Sequence, residues 1–193
     1  MKLYFSSFLL LLILLSSCQE DPKVRILEQQ KEDQKKEVIF NNISKGWNFN
    51  SVPSNETSRQ LTSVWAEWRV FLYELGQKPK SSIGAFKQKA KTLSKRAFEL
   101  NGKIPINFDL PEVRSRIAVI TTKINAINLY IHLNQIPDQK IVQLVQEVKT
   151  EVASLNAQLD EIKRRSEIKI EEGEGDMIRM LDTTRAIPNS PTK

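Results

Sequence analysis

PEVRSRIAVITTKINAINLYIHLNQIPDQKIVQLVQEVKTEVASLNAQLDEI, residues 111–162, decides the fold. Its first half places Val113, Ile117, Ile120, Ile124, Ile127 and Ile131 at alternating intervals of four and three. Its second half repeats the rhythm with Ile141, Val145, Val148, Val152, Leu155, Leu159 and Ile162. Such spacing draws one apolar stripe along each of two helices. The link at 134–138 is short, and Pro137 suits a helix start, where its missing N–H would have had no partner anyway. Two seams joined so tightly fold back on each other as an antiparallel hairpin. Ahead of them, Asp109-Leu110-Pro111-Glu112 has the form of a capping box, an acceptor side chain followed three residues later by a carboxylate.

Working outward, residues 82–100 predict a third helix, capped by Ser81 or Ser82. Its stripe is Ile83, Phe86, Ala90, Leu93, Ala97 and Leu100, and Asn101-Gly102 ends it. Residues 104–109 cross over in extended form because of Pro105; the alternation of Ile104, Ile106 and Phe108 also suits a short strand. Residues 56–76 predict one continuous helix with Leu61, Val64, Trp65, Trp68, Phe71, Leu72 and Leu75 on its buried face, stopped at Gly76. Residues 46–55 are a break around Pro53, with Trp47 and Phe49 as anchors that dock it on the core. Before it, 22–46 forms a lead-in of helical composition. Val24, Ile26 and Leu27 open it, Val38, Ile39 and Phe40 close it, and 28–37 between them carry no apolar side chain. That middle has nothing to bury, so it is expected to be a solvated spacer.

The expected fold is all-α: an up-and-down four-helix bundle over 55–170, with a tether and helical lead-in at 18–54 and a partly disordered tail at 171–193. The tail begins with Glu171-Glu172-Gly173-Glu174-Gly175-Asp176 and then returns to Met177, Ile178, Met180, Leu181 and Ile187. Met177, Met180 and Leu181 share a helical face, and methionines adapt to irregular grooves. A helix this short does not hold alone in water. It is expected to order only when docked, either as a strap on its own bundle or as a helix-in-groove motif on a partner.

Met1-Lys2 is a short basic start, and Phe8 to Leu15 is an unbroken apolar run. Even with Leu3, Tyr4 and Phe5 it falls short of the roughly 20 residues that span a bilayer, so 1–17 reads as a cleaved export signal. At its end, Leu15-Ser16-Ser17-Cys18 resembles the lipobox of bacterial lipoproteins. The resemblance covers this leader alone. It implies that the Cys18 thiol accepts a diacylglycerol and becomes a lipid-modified N-terminus, in which each buried methylene contributes roughly 0.8 kcal/mol. Cys18 would then be neither nucleophile nor metal ligand. Gln19-Glu20-Asp21 is similar to the surface-export tag of Bacteroidetes lipoproteins, and equally to a polar tether beside a lipid. Together these resemblances imply a lipid-anchored outer-membrane protein, facing either the surface or the periplasm.

The chain has 193 residues, with 29 basic and 23 acidic side chains and a formal charge of +6; Lys2 is the one basic residue of the leader. The single cysteine cannot form an internal disulfide. Residues 78–103 hold Lys78, Lys80, Lys87, Lys89, Lys91, Lys95, Arg96 and Lys103 against Glu99 alone. Lys87, Lys91 and Lys95 share a helix face, suited to anionic lipid or polysaccharide near a bilayer, or else simply solvated. No nucleic-acid recognition motif is present. Thr121, Asn125, Asn128 and His132 share one flank of the 111–131 helix, either lining a small-ligand groove or bordering a neighbouring helix. Trp65, Trp68, Phe71 and Tyr73 read as core more than as a carbohydrate platform. His132, the one histidine, has no paired nucleophile, and neither a phosphate cradle nor a metal-ligand spacing occurs. The reading is a non-enzymatic, cofactor-free binding or assembly component with an envelope protein as partner. The alternatives are an anionic lipid or polysaccharide binder using the basic helix, and a small-ligand binder using the polar flank.

Overall fold

In the computed structural model, which describes residues 22–168, the two periodic seams become α5 (Pro111–Ile131) and α6 (Asp138–Glu167). Every member of both stripes is buried. The pair runs antiparallel: Arg116 reaches Ser154 and Gln158, while Lys123 Nζ lies 2.7 Å from Glu147 and 3.8 Å from Glu151. Helix α4 (Ile83–Glu99) packs antiparallel on α5, with Ser94 Oγ donating to Asn125 Oδ1 at 2.5 Å and Thr121 Oγ1 donating to the Ala97 carbonyl at 3.2 Å. Ser82 caps α4, its hydroxyl accepting from the Ala85 N–H at 3.2 Å. The described residues are all-helical and bundle-like, as expected.

The fourth side of the bundle is composite. One part is the last two turns of α1 (Pro22–Gly46) and the loop behind them: Ile43 and Trp47 are buried, and Ile39, Phe40 and Phe49 pack against the core. Trp47 meets Phe49 edge-on at 5.2 Å and Phe86 at 5.3 Å, and Phe40 meets Phe86 at 5.7 Å. The other part is α2 (Glu56–Val64) followed by α3 (Ala66–Gly76). Residues 42–60 run alongside α6 in the same direction, as a ladder of side-chain ties shows. Asn42 Nδ2 donates to Asp138 Oδ2 at 2.6 Å, Asn55 Nδ2 to the Asn156 carbonyl at 2.6 Å, and Thr57 Oγ1 to Asp160 Oδ1 at 2.6 Å. Packing with the bundle therefore begins near Ile39, ahead of the boundary expected at 54. The solvent exposure expected of 28–37 extends over 22–38, all of it exposed.

Three local expectations need correction. The helix expected over 56–76 is interrupted at Trp65, whose backbone is extended (φ −112°, ψ 90°). One straight helix could follow α6 or α4, but not both. The bend lets α2 lie on α6 while α3 packs on α4. Trp65 and Trp68 both end fully buried and stacked, their centroids 5.8 Å apart, while Val64 at the bend is 71% exposed. Trp68 Nε1 donates to the Ser58 carbonyl at 3.2 Å and Arg69 Nη1 to the Thr62 carbonyl at 2.7 Å, tying the two pieces together. Residues 106–108 form a 3-10 turn, Ile106–Phe108, instead of an extended crossing or strand. Nor does Asp109 cap α5: Leu110 holds the cap position, and the Asp109 carboxylate takes a 2.6 Å ion pair from Arg114 Nε. Arg114, five residues on, engages both carboxylate oxygens at once, Nε to Oδ1 and Nη2 to Oδ2 at 2.8 Å, a two-pronged pairing that competes with a cap bond.

Candidate functional site

Helix α1 leaves the bundle at the end where α5 gives way to α6. Because Asn42 is level with Asp138, the first residue of α6, residues 22–38 project past that end into solvent. At 1.5 Å per residue this is a stalk of about 25 Å. Its polar run is held together by Lys35–Glu32 at 3.2 Å and Lys36–Asp33 at 3.4 Å, exposed pairs of small energetic weight.

Between the stalk, the first turn of α4 and the 133–138 loop lies an open groove of about 880 Å3. Its apolar wall is Val38, Ile39, Ile83, Leu133 and Ile136, and its cationic rim is Lys31, Lys35, Lys36 and Lys87. Two acids also line it, each already engaged: Glu32 with Lys35, and Asp138 with Asn42. The size falls inside the roughly 300–1,000 Å3 range of small-molecule sites. Chemically the groove suits an amphiphile with an anionic head, since the rim supplies point charges and the wall apolar contact.

The lysines of the expected basic face stand on one continuous helix in different surroundings. Lys87 turns into this groove and Lys91 is exposed, while Lys95 sits 3.9 Å from Glu99. The local excess of charge is also smaller than the sequence suggests, because α3 brings acids to it. Lys89 pairs with Glu74 at 2.6 Å, half-buried, and Lys103 with Glu67 at 3.5 Å. Arg96 shares Glu99 at 2.8 Å. Lys31, Lys35 and Lys36 were not singled out from the sequence. They lie some fifty residues from Lys87, and no local pattern announces that the two sets face each other.

The polar flank of α5 is largely a helix border. Thr121 and Asn125 bond to α4, and His132 Nδ1 lies 2.7 Å from the carbonyl of Asn128, whose own Oδ1 is buried without a partner among the described residues. Trp65, Trp68 and Phe71 are fully buried core, and Tyr73 is exposed. Among the described residues no group of three or more His, Cys, Asp or Glu side chains converges as a metal site, and no helix is long and apolar enough to cross a membrane. Cys18, Gln19, Glu20 and Asp21, and the tail residues Met177, Ile178, Met180, Leu181 and Ile187, lie outside the described residues. Comparison of the chain with protein-family models, with curated proteins and with solved structures finds no match.

Proposed function

We propose that this chain is a lipid-anchored, non-catalytic binding or assembly component of the cell envelope. The observation that carries the proposal is the join between leader and fold. The lipobox-like Leu15-Ser16-Ser17-Cys18 stands four residues ahead of a continuous helix whose first part, 22–38, is wholly exposed and whose last two turns are seated in the core. A lipid at Cys18 would make that helix a stalk between membrane and bundle, and a helix stands a domain off a surface at a defined distance, as a disordered tether does not.

The non-catalytic part of the proposal is supported by His132, the one histidine, which is exposed and whose ring Nδ1 is 2.7 Å from a backbone carbonyl of its own helix. The test of anchoring is incorporation of labelled fatty acid by cells expressing the chain or its Cys18→Ala variant. Label in the wild type alone, with release of the variant from membranes, is the expected result. Equal labelling of both would remove the anchor.

A further inference from the structure

We propose that the groove between the stalk and the bundle binds an anionic phospholipid, its phosphate among Lys31, Lys35 and Lys87 and its acyl portion along Val38 and Leu133. The proposal rests on the reading that the stalk leads to a bilayer, and names the ligand that stalk and bundle would hold jointly.

Three observations carry it. Val24, Leu27, Lys31, Lys35 and Val38 follow one another at spacings of three and four, so they share one face of α1. That face lines the groove at Lys31, Lys35 and Val38, and continues toward residue 22 with Val24 and Leu27, both about half exposed. An apolar–cationic stripe therefore starts in the groove and runs along one side of the stalk toward the expected anchor.

The charge balance is the second observation. Of the four lysines that line the groove, Lys35 pairs with Glu32 and Lys36 with Asp33, both exposed pairs, while the groove's other acid, Asp138, is bonded to Asn42; neither Lys31 nor Lys87 has an acidic partner among the described residues. The third is the wall itself. Val38 is 58% and Leu133 42% exposed, and both line the groove. A carboxylated polysaccharide would use the lysines and leave this wall wet, whereas a phospholipid uses both.

The test is a titration of the full chain, in non-ionic detergent, with dihexanoyl phosphatidylglycerol, dihexanoyl phosphatidylcholine and polygalacturonate. It is followed by methyl NMR at Val38, Ile83 and Leu133. The expected result is saturable shifts with the glycerol lipid, little with the choline lipid, and weakening as salt screens the lysines. The double variant Lys31→Glu/Lys87→Glu should bind on the order of tenfold more weakly. Lys91→Glu/Lys95→Glu, outside the groove on the same helix, should bind as the wild type does. Equal response to both lipids, an unchanged Lys31→Glu/Lys87→Glu variant, or shifts with polygalacturonate in place of lipid would each overturn the proposal. The titration does not require a lipid on Cys18, so its failure is distinguishable from a failure of fatty-acid labelling.

Discussion

The α5–α6 hairpin and the composite side of the bundle bury their apolar groups by opposite means. In the hairpin, two long helices present thirteen evenly spaced aliphatic residues, and the two helices, consecutive in the chain, pack on each other. On the composite side, pieces from 39–49 and 57–75 share the work, interrupted by a loop and by the bend at Trp65. They rely on aromatic bulk, Trp47, Trp65, Trp68 and Phe71 among it, and on ties to residues about a hundred positions away, such as Asn55 to Asn156. Regular spacing makes a surface that any matching helix can cover. Large aromatic side chains in short segments need one particular arrangement of neighbours, because interiors pack at crystal density and leave few alternatives.

The largest effect expected from breaking this contrast is in the hairpin. Leu155→Asp places a carboxylate at a fully buried position, which costs several kcal/mol against a typical total stability of about 5–15 kcal/mol. Circular dichroism should show loss of the cooperative melt; a normal melt would move Leu155 out of the seam.

On the composite side, Trp47→Ala should cost about 3–5 kcal/mol, read as a drop in the urea midpoint. A chain begun at residue 50 should lose at least as much, since it also lacks Ile43. Stability unchanged by either would make α1 an appendage and confine the bundle to residues after 54.

A smaller effect tests how closely α1 seats on α6. A Cβ on Gly46 would fall 2.6 Å from Val142 Cγ2, so Gly46→Ala forces a shift and should cost about 1–3 kcal/mol. At Gly102 a Cβ meets nothing within 4 Å, and Gly102→Ala should leave the midpoint nearly where it was. Equal behaviour of the two variants would deny the close approach.

The smallest effect belongs to the polar rim of the hairpin. Lys123 donates to Glu147 and holds its carboxyl below the ordinary value of 4.5, and the same bond raises the lysine. The folded-state value being the lower, the pair's contribution is whole above 4.5 and is lost as pH falls through the folded value. Both groups are part-buried at the bundle's edge and within reach of solvent, so the contribution is slight and salt-sensitive. Thermal midpoints of the wild type should fall slightly more than those of Lys123→Met below about pH 5. Parallel curves would mean the pair adds nothing.

These differences mark how far the sequence could be read. The stripes of α4, α5 and α6 follow from periodicity, and Trp47 and Phe49 were legible as anchors because large aromatics in a polar loop need somewhere dry. The break at Trp65 was not legible: Leu61, Trp65, Trp68, Leu72 and Leu75 are equally well spaced for one straight helix, and backbone propensity is too weak to overrule such a pattern. The capping-box reading of Asp109 failed for a related reason, since a motif names an acceptor but not its competitors, and Arg114 competed. Half of the groove was legible, in that Lys87 belonged to a noticed basic run. Its other half was hidden in a stretch whose lack of apolar residues read only as solvation.

By itself, then, the sequence determined the helical class, the hairpin and the exposed character of 28–37, because each depends on neighbours three or four residues away along a regular helix. Only the tertiary structure decided that 39–47 completes the bundle, that Glu74 and Glu67 draw Lys89 and Lys103 out of the basic run, and that Lys31 faces Lys87 across an apolar-walled groove. Those outcomes depend on which segments come to lie side by side, and that is settled by the burial of the whole core at once.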